Sequence, residues 1–317
     1  MKNFILIKFP LICTICLIIC MIGGFTSTGG SSVSTDSQST GTVVSSDSDG
    51  DDSTAVTASG DSVDNSPNYT NVSIYINGIM VTDGLKVNGT TYIPLRTFFG
   101  AIGEEADIAW SDKTNTATVT AAGLLMTAKA GDTYFTANGR CFYVPDGVLN
   151  TNGTVSAPIR ELAKVYQLDV GWDDESYSVS IRVDNPKVIS SAATVYKQQD
   201  IYWLSRLISA EAGNQSMKGK IAVGDVVINR LSDPSCPSTI YGVIFDKKFG
   251  TQFSVTKNGA IFEAPNDESI VAAKLCLEGY DIVGKSIYFV NPTECSTVWF
   301  NKTRLFVATI GAHEFYA

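Results

Sequence analysis

The period of apolar and polar positions changes three times along this chain. Met1 to Gly24 carries Lys2 and Lys8 ahead of an almost unbroken apolar run, Phe9 to Ile22. From Thr26 to Asn71 there is no period: Ser, Thr, Asp, Gly and Val dominate, and too little apolar surface is available to offset the entropy of ordering the backbone. From Val72 to Val183 short runs alternate apolar with polar residues between turn-forming residues, the grain of strands with one buried face. From Tyr196 onward the period becomes helical, which predicts an α+β chain with two folded parts.

In the helical part, Ile201, Leu204, Leu207 and Ile208 form one stripe at about 100° per residue, and Glu211 falls inside it. A carboxylate there is either paired or functional. Burial disfavours its charged form and raises its pKa, as a general acid working near neutral pH requires. The other reading is that Glu211, close to the helix end, has turned to solvent; helical phase alone leaves both open. Gly213 suits a left-handed cap. A second helix is predicted from Ser216 to Leu231, closed by Pro234 and Pro237. Gln252 to Phe262 reads as two short strands around Asn258-Gly259, a hairpin signal, and a third helix runs from Asn266 to a stop at Gly279.

The strand-rich part contains a repeat. Val87-Asn-Gly-Thr-Thr-Tyr-Ile-Pro-Leu-Arg96 returns as Thr151-Asn-Gly-Thr-Val-Ser-Ala-Pro-Ile-Arg160, with Asn, Gly, Thr, Pro and Arg all displaced by 64 positions. Each copy continues into a short helical stretch and then a Trp, a polar turn and an alternating strand (Trp110 to Thr120, Trp172 to Ile181). This pattern resembles the copper amine oxidase N-terminal-like domain, a small α+β module. The segment holds no histidine, so no copper site is implied. Arg96 and Arg160 are expected to pair inside their own repeats, and Asn88-Gly89 and Asn152-Gly153 to form tight turns.

Composition narrows the function. The chain has 23 Lys+Arg against 32 Asp+Glu, a net charge of -9, and no basic run, so nucleic-acid binding is not expected. With one histidine, His313, zinc enzymes built on two or three His ligands are excluded; no metal or cofactor is expected. His313 itself reads as a partly buried residue bonded to backbone. Of the seven cysteines, Cys13, Cys16 and Cys20 lie in the leading run; Cys141, Cys236, Cys276 and Cys295 fit free thiols or one bridge among the last three equally. The leading run reads as a secretory signal, which places the product outside the cell, in the wall or spore envelope, with no stable membrane insertion after cleavage. The expected division is 1–25 signal, 26–71 spacer, 72–183 repeat domain, 184–199 linker and 200–317 catalytic domain.

Ile208-Ser-Ala-Glu-Ala-Gly213, Lys220 to Arg230, Phe253-Ser-Val with Asn258-Gly259, Ile287-Tyr-Phe-Val-Asn-Pro292 and Ile310-Gly-Ala-His-Glu-Phe315, in that order, resemble the cell-wall hydrolase family of spore cortex-lytic enzymes. The resemblance implies a lysozyme- or lytic-transglycosylase-like α+β catalytic domain that cuts peptidoglycan glycan strands between N-acetylmuramic acid and N-acetylglucosamine, with Glu211 as the acid. Gln252, Ser254, Tyr288 and Asn291, in family-like motifs, are the expected sugar ligands, and Trp203 and Trp299 fit either sugar stacking or core packing. Ordinary glycosidases use two carboxylates, and no evident partner accompanies Glu211: Asp225, Asp246 and Glu263 read as surface or structural groups. One carboxyl suffices if the muramic C6 hydroxyl attacks, giving a 1,6-anhydro sugar, so a monomeric lytic transglycosylase is expected. A hydrolytic muramidase or glucosaminidase, a non-catalytic wall-binding protein and a surface protein working through its repeat domain are the alternatives.

Overall fold

The computed structural model describes residues 69–248 and 250–317. The expected signal at 1–25 and nearly all of the expected spacer lie outside the described residues. No described helix is long and apolar enough to cross a membrane.

The first part runs β1 (Tyr69–Ile76), β2 (Ile79–Val87), β3 (Thr90–Pro94), α1 (Leu95–Ala101), β4 (Asp107–Ser111), β5 (Thr116–Ala121), β6 (Leu124–Lys129), β7 (Tyr134–Ala137), β8 (Arg140–Tyr143), β9 (Leu149–Thr151), β10 (Thr154–Pro158), α2 (Ile159–Val165), β11 (Val170–Asp173) and β12 (Ser178–Ile181). Both Asn-Gly pairs sit in the left-handed region, Asn88 and Gly89 at φ 46° and 89°, Asn152 and Gly153 at 51° and 81°, which is the two-residue turn that matches strand twist. Pro94 and Pro158 then end a strand and start a helix in each copy. The two arginines pair within their repeats, as expected. Arg96 donates through Nη2 to the Ile108 carbonyl and Arg160 through Nη1 to that of Val170, both at 3.0 Å. Trp110 and Trp172 donate to Asp112 and Asp174 at 2.7 and 2.6 Å.

The copies part company in sheet membership. In the second, β11 and β12 close a seven-stranded sheet, ordered β11-β12-β1-β2-β3-β10-β9, by pairing β12 parallel to β1; in the first, β4 and β5 begin a separate five-stranded sheet, β4 to β8. Phe98, Phe99 and Tyr166 from α1 and the end of α2 fill the space between, all at most 2 % exposed.

The second part comprises α3 (Ala192–Val195), α4 (Gln198–Ala212), α5 (Met217–Leu231), α6 (Ile240–Ile244), α7 (Val255–Asn258), α8 (Asp267–Leu277), β13 (Tyr288–Val290), α9 (Val298–Thr303), β14 (Phe306–Ile310) and β15 (His313–Tyr316). Ser216 caps α5 by accepting from the Gly219 amide, and Asn266 caps α8 by accepting from that of Ser269 at 2.8 Å. Helix α5 is the axis of the domain: every residue from Ile221 to Val227 is buried. Gly224 makes that possible, since a Cβ there would lie 2.5 Å from Cys276 Sγ on α8 and 2.9 Å from Ile208 Cδ1 on α4.

Two local expectations fail. Gln252 to Phe262 is not a hairpin but the single turn of α7 followed by a 3-10 turn at Ala260–Phe262. Asn258 accepts the Ala260 amide and Gly259, at φ 87°, ends the helical turn; an Asn-Gly pair serves a helix stop as well as a hairpin, and burial of Phe253, Val255 and Ile261 selects the former. The β-hairpin of this part is β14–β15, turning at Gly311 and joined by β13 on the far side of β15. Gly213 is right-handed, φ −57°; its need for glycine is steric, because a Cβ would meet the Ser209 carbonyl oxygen at 2.4 Å.

The two parts share a core. Cys141 and Tyr143 of β8 belong to the hydrophobic cluster of α4, α5 and α8. Beside them Arg140 grips Glu278 with two bonds of 2.7 and 2.5 Å, the Tyr196 hydroxyl donates to the same carboxylate, and that of Tyr280 donates to Glu161 on α2.

Candidate active site

Glu211 occupies the last turn of α4, one turn beyond Leu207 and Ile208, which are wholly buried. It is itself partly buried, and none of the described residues gives its carboxyl a hydrogen bond or a cation. Burial, helped by the negative charge of Glu294, pushes its pKa up from 4.5 to about 7. A glutamic acid so placed holds its proton near neutrality and can release it to a basic oxygen in front of it.

Glu294 is brought there by the loop after β13. Asn291 folds this loop: its Oδ1 accepts from the Thr293 amide and hydroxyl at 3.1 and 2.8 Å, and its Nδ2 donates to Glu294 Oε1 at 3.0 Å. His313, the first residue of β15, faces the same group. Burial lowers its pKa against the opposing pull of Glu294, so it is held towards the neutral form. The expected backbone bond is missing: Nδ1 is buried without a partner, and the ring is fixed by edge-on packing against Phe289 at 5.2 Å.

The four expected sugar ligands separate. Gln252 and Tyr288 line a cavity of about 390 Å³ together with Arg230 and Arg304, and Glu211, Ser254 and Asn291 are not among its lining residues. Asn291 lies with Glu294 on the Glu211 side. Ser254 is exposed at the N-cap of α7 and makes no capping bond. Trp203 packs edge-on to Tyr202 and Phe245, whereas Trp299 is 41 % exposed beside Tyr288. Among the described residues no group of three or more His, Cys, Asp or Glu side chains is gathered to hold a metal ion, and Cys141, Cys236 and Cys276 carry free thiols.

Residues 214–316 match the family described as Cell Wall Hydrolase. The match covers that stretch, about a third of the chain. The cell-wall hydrolase stretch begins three residues after Glu211, and residues 75–181 match the copper amine oxidase N-terminal domain. A spore cortex-lytic enzyme of Oceanobacillus iheyensis is 32 % identical over 120 residues, which cover 38 % of this chain and 42 % of the relative. One from Bacillus subtilis is 28 % identical over 104 residues, covering 33 % of each. The chain thus spans less than half the length of these relatives. Among solved structures, the catalytic domain of the germination-specific lytic transglycosylase SleB from Bacillus anthracis is 30 % identical, with 38 % of this chain and 97 % of that one covered and a TM-score of 0.35.

Two acidic residues depart from what spacing suggests. Glu294 sits in an irregular loop with no period, so nothing local marked it as the neighbour of Glu211. Asp225 is 3 % exposed; burial raises its pKa to about 7, and it accepts the Ile282 amide at 2.7 Å. It ties α5 to the loop before β13, which makes it the structural member of the pair of readings open for it. Asp246 accepts the Lys248 amide within its own turn, and Glu263 is exposed.

Proposed function

We propose that this protein cleaves the glycan strand of peptidoglycan between N-acetylmuramic acid and N-acetylglucosamine as a lytic transglycosylase, outside the cell in the wall or spore envelope. The observation that carries the reading is Glu211: a partly buried glutamic acid at a helix end, without a pairing cation among the described residues, whose pKa burial raises to about 7. The match of residues 214–316 to the cell-wall hydrolase family and the likeness to spore cortex-lytic enzymes support the substrate class. Glu211 first gives its proton to the glycosidic oxygen. The resulting carboxylate then takes a proton from the C6 hydroxyl of the muramic acid as that oxygen attacks C1, closing a 1,6-anhydro ring.

Hydrolysis is the second reading, and Glu294 favours it. A second carboxylate near the acid is what a water-activating base requires. Purified sacculi digested with the enzyme and resolved by mass spectrometry separate the two: anhydro ends support the first reading, reducing ends the second. Loss of all muropeptide release in Glu211→Gln is expected under either, and persistence of release would remove Glu211 from the chemistry.

A further inference from the structure

The cavity apart from Glu211 contains two arginines that the structure leaves underemployed. Arg230, in the last turn of α5, is 8 % exposed. Its Nε donates to the Ile287 carbonyl at 2.8 Å and its Nη1 reaches Gln252 Oε1 only at 3.4 Å. Its guanidinium lies 5.1 Å from the Phe253 ring and 5.6 Å from that of Tyr288. Arg304, partly buried, lies 4.8 Å from the same Tyr288 ring and 5.0 Å from that of Trp299; its Nη2 donates to the Tyr288 hydroxyl at 3.2 Å and its Nη1 to the Thr303 carbonyl at 3.1 Å, while its Nε is buried without a partner.

Neither guanidinium is in an ion pair with any described carboxylate. Buried charges are normally paired, since removing them from water is expensive. The two acidic side chains lining the cavity favour the charged form of Arg230 from beyond ion-pair distance, and their direct bonds go to backbone: Asp233 accepts the Ser235 amide at 2.8 Å and Asp246 that of Lys248 at 2.9 Å. Two planar forks with spare N–H groups, turned to one aromatic ring, match a carboxylate. Pro237, Val243, Ile287 and Leu305 give the cavity an apolar side, beside Ser235 and Thr303; Leu305 is 72 % exposed at the rim. They suit short aliphatic side chains attached to that carboxylate.

We propose that this cavity binds the free carboxylate end of a short aliphatic peptide, of the kind that hangs from the muramic acid of peptidoglycan. Naming that peptide rests on the glycan reading above; the carboxylate site itself does not. It gives the enzyme a second hold on a peptide-bearing strand, away from the bond it cuts.

The test is calorimetric titration of the full chain with N-acetyl-D-alanyl-D-alanine, its C-terminal amide and inorganic phosphate, for the wild type, Arg304→Gln and Arg230→Lys, each with an intact thermal transition. The free acid is expected to bind, and the amide and the Arg304→Gln protein to give affinities about tenfold weaker, the effect of losing one charge-assisted bond. Arg230→Lys, which keeps the charge but not the fork, is expected to weaken the acid as well. No binding of the acid, equal binding of acid and amide, an unchanged Arg304→Gln, or phosphate bound as tightly as the peptide would each overturn the proposal. Glu211→Gln is expected to bind the acid like the wild type while cleaving nothing. No muropeptide release from sacculi by the wild type, with the binding pattern intact, would sink the glycan reading alone.

Discussion

Replacing Glu211 by Gln should stabilise the protein, and only at neutral and alkaline pH. The folded-state pKa is about 7 against 4.5 for an ordinary glutamate, so the native protein binds one more proton than the unfolded chain between those values. Stability therefore falls as pH rises through that window. Below about pH 4.5 both states are protonated and Glu211 costs nothing; above about pH 7 it is ionised in a site that disfavours the charge. A difference of about 2.5 pKa steps at 1.36 kcal/mol each amounts to about 3 kcal/mol. Gln has the same shape and no charge to desolvate. For a folded part of this size, 3 kcal/mol is roughly 5–10 °C in melting temperature. Melting curves of the two proteins at pH 4.5, 6 and 8 should coincide at the lowest pH and diverge to that extent at the highest. Asp225, also raised to about 7, tilts both curves alike and cancels in the difference. A gap that stays constant from pH 4.5 to pH 8 would show that Glu211 is not an elevated acid, and with it the proton-donor role would fall.

Other consequences follow from named contacts. Glu294→Gln removes the charge that helps raise Glu211, so the alkaline limb of the rate–pH profile should move to lower pH with the acidic limb less affected; an unmoved limb in a sacculus-clearing assay would detach Glu294 from the site. Arg140→Ala strands Glu278, whose side chain is 6 % exposed, and should cost about 3–5 kcal/mol in urea unfolding, a loss that independent, merely tethered domains would not show. Gly224→Ala forces a methyl group to within 2.5 Å of Cys276 Sγ and should destabilise by about 1–3 kcal/mol; wild-type stability in that variant would mean that α5 and α8 can part freely.

Much of the local structure was legible because it depends on neighbours in sequence. The Asn-Gly turns need only residues that tolerate positive φ, and both copies have them. The caps at Ser216 and Asn266 are read three residues ahead. The stripe through Leu204, Leu207 and Ile208 follows from helical phase, and all three are wholly buried. Where a local signal serves two structures, as at Asn258-Gly259, the choice fell to the burial of Phe253 and Ile261, which spacing does not contain.

The sequence by itself determined the repeat, the helix order and the position of one glutamate on an apolar face, because periodicity and turn chemistry are short-range. Only the tertiary structure decided what surrounds that glutamate. Glu294 comes from a loop 83 positions away, and a pKa near 7 is a property of that neighbour and of the burial around the carboxyl. The union of the two parts was decided in the same way. Arg140 and Glu278 are 138 positions apart, and a long-range ion pair leaves no mark in the period of either segment.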